Sequence, residues 1–370
     1  MMINFNISKK KELKNFIEDK SFKKILIIAG NTSFSLSGLK NFFSEIKNKE
    51  IRIFLKKNFF PKYGELIEII NKINKYSPDL IIAAGGGSVL DYAKIANVID
   101  YDKNLYKRIK FSNYKLNKVK RKLIAIPTTA GSGAEATTNA VIYINNIKYS
   151  IEGALIKPNN FFLIPGFISG ASNKIKSSAG FDAIAQAMES LISIKSNEHS
   201  VKYAIKSLEI SLKYFINFLS NPTLENTSAM AFAANLSGKA ISISKTIAPH
   251  AVSYPFTSLF NISHGHAVSL TLDKFMVFNF ENLKKSKANF DLKKRYEILF
   301  KLSKTNNISE FKYFIIQLKK KANLENNYKK LGINIDSSIN KILSGINEQR
   351  LLNNPIKINK KIIKSILIEN

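Results

Sequence analysis

Three of the four histidines in the chain fall in one mostly apolar stretch. His250 lies in a segment with helical periodicity, and His264 and His266 follow a predicted turn at Asn261. Because neutral imidazoles from two helices can bind one metal ion, this pattern favours a metal centre. The alternative interpretation is that these histidines are hydrogen-bonded polar side chains of the core.

A second candidate site is a glycine turn that follows an apolar run at residues 80–84. The order of a buried strand, a turn and a helix is typical of an anion cradle, in which backbone N–H groups face a phosphate. Glycine lets a pyrophosphate approach because it has no Cβ. An ordinary tight turn is the alternative. The candidate cofactor-binding residues are Gly85, Gly86, Gly87 and Ser88.

A third segment, "KLIAIPTTAGSG", also runs from an apolar strand into small hydroxyl residues and glycines. Ligands in open α/β sheets bind beyond the carboxyl ends of the strands, so these side chains suit phosphate and ribose contacts. The candidates are Thr128, Thr129 and Ser132. Two such loops in one chain favour a bound dinucleotide.

The elements that must position these residues change near residue 168. Before it, short strands alternate with helical segments, which predicts a parallel sheet with helices on both faces. A hairpin with its turn at Asn145 and Asn146 is expected at residues 139–153. After it, the periodicity is helical. The sequence therefore predicts a dinucleotide-binding domain at 1–168 and a helical metal- and substrate-binding domain at 169–370, with the active site in a cleft between them.

The two glycine-rich segments, "GGGSVLDYAK" and "PTTAGSGAEAT", resemble motifs of the iron-containing alcohol dehydrogenases. The closing "NNPIKINKKIIKSILIEN" is similar to the end of the same family. The resemblance implies a dehydroquinate synthase-like fold: an α/β N-terminal domain with a parallel, Rossmann-like sheet, followed by an all-α C-terminal domain. It adds Asp91 of the first motif to the cofactor-binding candidates, and it implies a homodimer.

The resemblance also implies a ligand set for Fe²⁺ or Zn²⁺. The family's Asp falls on Asp182, and its two distant histidines fall on His250 and His264, fourteen residues apart. The remaining histidine position falls on Gln186, which shares a helix face with Asp182. Three interpretations stay open: Gln186 or water completes the metal site, Gln186 turns to the substrate, or the site is metal-free.

Segments around these ligands resemble the subgroup of the family that reduces phosphonoacetaldehyde to 2-hydroxyethylphosphonate. A phosphonate dianion needs a cation beside it. Lys245, five residues before His250, is the first candidate, and Lys148 and Lys157 are further ones. His266 is the candidate for a proton relay. The resemblance therefore implies reduction of a small anionic aldehyde to a primary alcohol.

The first strand and its turn bear on the choice of cofactor. Members of the family that prefer NAD have an Asp in this turn, which binds the ribose 2′-hydroxyl and repels a 2′-phosphate. This chain has Asn31 and Ser33 in the turn. Removing the carboxylate admits a phosphate, so NADPH is expected over NADH.

Composition excludes several other functions. The chain has no cysteine, which rules out disulfides and thiolate ligands. Its net charge of +30 is nearly all lysine, scattered along helical segments, so nucleic acid is not an expected partner. No apolar run is long enough to span a membrane, and a cytoplasmic location is expected. The rival functions are another short-aldehyde reductase or sugar-acid oxidase, a dehydroquinate synthase-like lyase, and a metal-free binding protein.

Overall fold

The computed structural model describes residues 5–117 and 119–368. The chain divides into two compact units. The first, here called the sheet unit, is Met1–Ser172 with Pro222–Asn235, and the second, here called the helical unit, is Asn173–Asn221 with Leu236–Asn370. The strands are β1 (Lys24–Gly30), β2 (Glu50–Lys56), β3 (Leu80–Gly85), β4 (Lys122–Pro127), β5 (Asn139–Ile144), β6 (Ile147–Glu152) and β7 (Asn160–Phe161).

The sheet unit is built on a parallel sheet with strand order β2-β1-β3-β4-β7. Strand β2 pairs with one side of β1, and β3 pairs with the other side, followed by β4. The order therefore reverses between β1 and β3, which is where α/β sheets form their ligand crevice. Apolar side chains alternate towards two buried clusters, one on each face of the sheet.

Short helices cover both faces of this sheet. They are α1 (Lys10–Ile17), α2 (Asn31–Leu36), α3 (Leu39–Ser44), α4 (Tyr63–Tyr76), α5 (Gly87–Ala96) and α6 (Leu105–Lys110). Helix α4 shows how the sequence specifies them, because Leu66, Ile69, Ile70 and Ile73 recur at helical spacing and are all buried. Helix α5 begins at Gly87, directly after β3.

Strands β5 and β6 form the antiparallel hairpin predicted from the sequence. Asn145 and Asn146 both adopt left-handed φ angles, 51° and 63°. Asparagine tolerates this region, and two such residues make the hairpin turn whose twist matches the flanking strands.

The helical unit is built from longer helices around an apolar core. These are α7 (Asn173–Ile192), α8 (Glu198–Ser220), α10 (Ala248–Phe260), α11 (His264–Glu281), α12 (Leu292–Ser303), α13 (Ile308–Lys321), α14 (Ile335–Ser344), α15 (Glu348–Leu351) and α16 (Lys360–Ile368). Helix α9 (Leu224–Ser244) is divided between the two units. Asn197 and Asn307 precede α8 and α13, and their side chains accept hydrogen bonds from N–H groups of the first turn.

The predicted architecture of a parallel α/β part followed by a helical part is confirmed. The sequence interpretation missed four short elements, which are α1, α2, α6 and β7. Helix α6 gives little periodic signal, because only Leu105 and Ile109 of its six residues are buried. Within the described residues, no helix combines the length and the apolar character needed to cross a bilayer.

Candidate metal centre and dinucleotide turn

One face of helix α7 carries three buried polar side chains. Asp182, Gln186 and Glu189 follow one another at intervals of four and three residues, so they share a face of the helix. Their exposed fractions are 4%, 3% and 0%. Buried polar groups need partners, so this face must meet complementary side chains from its neighbours.

His250 lies between two of these carboxylates. It stands near the start of α10, where Pro249 fits the first turn because a helix start leaves N–H groups unused anyway. Its Nε2 lies 3.2 Å from Oδ1 of Asp182, and its Nδ1 is hydrogen-bonded to Oε1 of Glu189. The other carboxylate oxygen of Glu189 accepts a bond of 2.8 Å from the N–H of Ile247. Glu189 thus fixes both the backbone and the ring at this position.

His264 completes the cluster from the first residue of α11. A left-handed Asn261 ends α10 and turns the chain so that both helices present a histidine to α7. Nε2 of His264 lies 3.9 Å from Oδ1 of Asp182, and its ring stacks on Tyr254 at 5.7 Å. One donor atom from each of Asp182, His250 and His264 lies within 4.8 Å of the others.

Gly265 allows α11 to approach α7 closely at this point. A Cβ at this position would lie 1.9 Å from the carbonyl oxygen of Ser178 and 2.8 Å from Cβ of Asp182. Any other residue would therefore separate the two helices beside the cluster. The close contact of the helices at Gly265 sets the distance between His264 and Asp182.

The electrostatics of the cluster favour a positive charge. Burial alone would lower the pKa of His250, but the carboxylates of Glu189 and Asp182 outweigh it and raise that pKa to about 9. Burial raises the pKa of Tyr254, against the opposing positive charge of Arg350. A carboxylate, two imidazoles and a second carboxylate behind one ring are the donor set of catalytic metal sites, so these residues fit Fe²⁺ or Zn²⁺.

Gln186 lies against Asp182 but directs its amide nitrogen there. Its Nε2 donates a hydrogen bond of 3.1 Å to Oδ2 of Asp182. Its Oε1 accepts one of 3.1 Å from the hydroxyl of Ser237 on α9. The amide nitrogen, which is not a metal ligand, therefore faces Asp182, and the amide oxygen faces Ser237.

The two predicted catalytic residues, Lys245 and His266, lie close to His250 and His264 in the sequence. His266 is half-buried, and its Nε2 lies 2.7 Å from the main-chain carbonyl oxygen of Glu325. Burial lowers the pKa of His266, which favours the neutral ring. Lys245 is half-buried and ends α9 in the left-handed region, with φ of 60°.

The two glycine-rich loops of the sheet unit lie together at the carboxyl ends of β3 and β4. The N–H of Thr128 donates to the carbonyl of Gly85 at 3.1 Å. A Cβ on Gly86 would lie 3.5 Å from Thr129, and one on Gly87 would lie 2.7 Å from Ser132. The turns after β3 and β4, which hold these predicted cofactor residues, therefore lie against each other and form one surface.

Two observations at this surface fit a dinucleotide. The hydroxyl of Thr128 is buried and has no hydrogen-bond partner among the described residues. Helix α5 begins at Gly87, and its first turn presents N–H groups beside Gly86 and Ser88, which are half-exposed. The Thr128 hydroxyl could form a hydrogen bond with a phosphate or a ribose. The glycines at the start of α5 would let a phosphate approach the N–H groups of the helix.

The first turn of the sheet lies beside this surface, because β1 and β3 are neighbours. Asn31 is exposed at the start of α2, and the Ser33 hydroxyl donates to the carbonyl of Gly30 at 3.2 Å. Gly30 pairs with Lys56 at the end of β2. A lysine, rather than a carboxylate, therefore stands next to Gly30 in the sheet.

Asp91 lies in the core of the sheet unit, away from the solvent-facing side of the turn. Burial raises its pKa to about 6 against the opposing charges of Lys94 and Lys148. Lys94 is fully buried and donates to the carbonyls of Ala134 and Asn139 and to the hydroxyl of Thr137. Asp91 therefore faces Lys94, and the hydrogen bonds of Lys94 connect α5 to the second glycine-rich loop and to the start of the hairpin.

The structure also separates the lysines predicted to bind the substrate. Lys148 is buried in the cluster with Asp91, whereas Lys157 is exposed in the same unit. Two residues of the metal cluster, Glu189 and Gly265, were missed. Glu189 could have been found from its seven-residue spacing to Asp182, which places the two acids on one face of a largely buried helix. The contact at Gly265 depends on the packing of α11 on α7, for which the sequence gives no local signal.

Comparison with known proteins places these sites in a family. A family model described as "Iron-containing alcohol dehydrogenase" matches residues 2–165, and its C-terminal counterpart matches residues 176–370. The phosphonoacetaldehyde reductase of Streptomyces viridochromogenes is 29% identical, over 54% of this chain and 53% of its own. The 4-hydroxybutyrate dehydrogenase of Clostridium kluyveri is 30% identical, over 56% and 59%. The chain spans about half the length of these curated relatives.

The fold agrees with solved structures of the family over their whole length. Sulfoacetaldehyde reductase from Bifidobacterium kashiwanohense, solved with NAD⁺, has a TM-score of 0.85 at 23% identity and covers 100% of this chain and 96% of its own. An iron-containing alcohol dehydrogenase from Thermococcus thioreducens has a TM-score of 0.84 at 22% identity, with 98% and 96% covered. With both family models matching nearly the whole sequence, the chain belongs to the iron-containing alcohol dehydrogenase family.

Proposed function

We propose that this protein reduces a small anionic aldehyde to a primary alcohol, with phosphonoacetaldehyde as the first substrate to test and NADPH as the preferred cofactor. The observation that carries the proposal is the cluster of Asp182, His250 and His264 in a chain of this oxidoreductase family. A substrate with an anionic group is favoured because two curated relatives are named for small anionic compounds, the aldehyde phosphonoacetaldehyde and the primary alcohol 4-hydroxybutyrate.

In this proposal, Asp182, His250 and His264 hold the divalent cation, Fe²⁺ or Zn²⁺. When bound, such a cation acts as a Lewis acid that polarises a carbonyl, and the nicotinamide supplies a hydride. Glu189 accepts a hydrogen bond from Nδ1–H of His250, which holds the proton on Nδ1 and leaves Nε2 as the ligand atom. Lys245 would hold the anionic group of the substrate by a charge-assisted hydrogen bond.

The proton needed to complete the alcohol is assigned to His266. Its Nε2 donates a hydrogen bond to the carbonyl of Glu325, which fixes the ring. Nδ1 is then the ring nitrogen that can exchange a proton. Nδ1 would take a proton from bulk water and pass it on through a bound water to the product oxygen, and the lowered pKa of His266 makes the protonated ring a stronger acid for this transfer. The residue would act through water, since its position is fixed by this main-chain contact.

The preference for NADPH rests on the edge of the sheet beside β1. Asn31 and Ser33 stand in the turn where a carboxylate would repel a 2′-phosphate, and this leaves room for that group. We expect kcat/KM to be about tenfold or more higher with NADPH than with NADH, which corresponds to about 1.4 kcal/mol. A clear preference for NADH would contradict this part of the proposal.

The test is a steady-state assay of the metal-loaded full chain, following NADPH absorbance. Phosphonoacetaldehyde is compared with an uncharged aldehyde of similar size, and 4-hydroxybutyrate is tested in the oxidative direction. One well-placed charged contact predicts a kcat/KM about 10–100-fold higher for the phosphonate.

A Lys245→Met variant sharpens this comparison. It should raise KM for phosphonoacetaldehyde while leaving the uncharged aldehyde unchanged, because only the charged substrate loses its partner. Equal kcat/KM for both aldehydes in the wild type would refute the anionic substrate and point to another short-aldehyde reductase. No turnover with any aldehyde, together with no metal after loading, would favour a metal-free binding protein.

A further inference from the structure

We propose that Gln186 is a positioning residue, which orients Asp182 towards the metal through its amide N–H and supplies no ligand itself. The proposal rests on the metal centre of the proposed function. It concerns the point at which this chain departs from the family's ligand pattern.

The carrying observation is a chain of two hydrogen bonds through one amide. The hydroxyl of Ser237 donates to Oε1 of Gln186, and Nε2 of Gln186 donates to Oδ2 of Asp182, each at 3.1 Å. Gln186 is 3% exposed and Ser237 is fully buried. The oxygen is the one atom of this amide that could bind a metal, and it faces the hydroxyl.

This arrangement gives the two oxygens of Asp182 different roles. Oδ2 faces the amide of Gln186, whereas Oδ1 lies 3.2 Å from Nε2 of His250 and 3.9 Å from Nε2 of His264. The amide therefore turns the carboxylate so that Oδ1 points to the two imidazoles. Outer partners of this kind fix the orientation of a ligand, and their loss weakens metal binding without changing the ligand count.

A consequence is that the protein supplies three ligands, where a histidine at this position would supply four. The remaining positions are then open to water or substrate, as in catalytic sites generally. Metal affinity should therefore depend on the hydroxyl of Ser237, which orients Gln186. Ser237 lies on another helix, far from Gln186 in the sequence, so the sequence alone does not indicate that it belongs to the site.

The experiment uses Co²⁺ as the probe, because its visible spectrum reports the number and type of ligands. The dissociation constant of the full chain for Co²⁺ is measured by competition with a chelator, and the spectrum is recorded at saturation. Gln186→Leu keeps the size but removes both hydrogen bonds. We expect it to raise the dissociation constant about 10–100-fold with an unchanged spectrum.

Ser237→Ala provides a second variant that leaves Gln186 in place. We expect a smaller increase, about threefold to tenfold, again with an unchanged spectrum, because the amide loses the donor that orients it. Gln317→Leu on α13 is the matched control, since it makes the same substitution at a half-buried glutamine of the helical unit, and it should bind as the wild type does.

A changed spectrum in Gln186→Leu would overturn the inference, because it would mean that the amide oxygen is a ligand. An unchanged dissociation constant in both Gln186→Leu and Ser237→Ala would overturn it as well. Those results leave the proposed function intact, since the wild type binds Co²⁺ in each. A wild type that binds no Co²⁺ would instead remove the metal centre on which the proposed function depends.

Discussion

The two sites of this protein are built from different materials. At the edge of the sheet, the ligand surface is backbone and small side chains, with Gly86, Gly87 and Thr129 close together at the end of two neighbouring strands. In the helical unit, the site is made of buried ionisable side chains from α7, α10 and α11. The glycine-rich surface depends on the absence of side chains, whereas the buried cluster requires each ionisable side chain to have its hydrogen-bonding or charged partner.

The two sites are therefore sensitive to different kinds of substitution. A glycine turn tolerates changes that leave its backbone in place, and it loses function when a Cβ fills the space of a ligand. The buried cluster is held by mutual compensation of charge, so removing one member leaves another without its partner. The following variants test that contrast, from the largest expected effect to the smallest.

The largest effect is expected for His264→Ala. Removal of one of three ligands should weaken metal binding about 1,000-fold, or about 4 kcal/mol, and abolish aldehyde reduction. The side chain of His264 is 30% exposed, so the fold should survive its truncation. Metal content after dialysis and the NADPH assay measure the two effects. His199→Ala, at an exposed histidine of α8, is the control, and equal metal loss in both variants would contradict the assignment.

Gly265→Ala tests whether helix contact sets the geometry of the metal cluster. Its Cβ would lie 1.9 Å from the carbonyl oxygen of Ser178, and because both are backbone-fixed, α7 and α11 must separate. We expect the free energy of unfolding to fall by about 3 kcal/mol or more, with weaker metal binding in the folded fraction.

Gly64→Ala is the matched control for this substitution. Gly64 lies in α4, where a Cβ would meet no atom within 4 Å. Alanine should leave stability unchanged or raise it by up to about 1 kcal/mol, since glycine is a poor helix former. Urea unfolding curves measure both. Similar stabilities for Gly64→Ala and Gly265→Ala would show that the helix contact is not constrained at Gly265.

Lys94→Met tests the structural role of the glycine motif in the sheet unit. The substitution removes a buried cation that bonds three acceptors and faces Asp91. Leaving these groups without a partner should cost about 3 kcal/mol of unfolding free energy. Lys75→Met, at an exposed position of α4, should cost little. A Lys94→Met variant that unfolds at the same urea concentration as the wild type would show that these buried contacts do not stabilise the fold.

Gly86→Ala should have the smallest effect on the fold and a selective one on the cofactor. Gly86 has a φ of −73°, and a Cβ would lie 3.5 Å from Thr129, so alanine fits the empty turn. It fills space that a pyrophosphate needs, and we expect the dissociation constant for NADPH to rise about tenfold.

Gly85→Ala gives the opposite pattern and completes the comparison. A Cβ at Gly85 would lie 2.6 Å from the side chain of Val89, so this variant should lose stability. Fluorescence titration with NADPH and urea unfolding separate the two effects. If Gly86→Ala binds NADPH as tightly as the wild type, the dinucleotide does not use this turn.

Much of the fold followed from local sequence signals. Periodicity located the strands of the sheet and most long helices, and Asn145 with Asn146 specified the hairpin turn. The ligand candidates Asp182, His250 and His264 could be named because their residue types and spacing match a family pattern. The spacing of Glu189 to Asp182 places both acids on one face of α7, but the role of Glu189 depends on its contact with His250, which lies on another helix.

The sequence by itself determined which residues could do chemistry and which segments are strands, turns or helices, because these depend on residue type and on contacts a few positions away. Only the tertiary structure decided the partners: the amide of Gln186 turned towards Asp182, the Nδ1 of His250 on Glu189, Asp91 buried among lysines, and α11 held against α7 at Gly265. Each of these joins residues far apart in the chain. Their arrangement is set by the packing of whole helices, which no local pattern encodes.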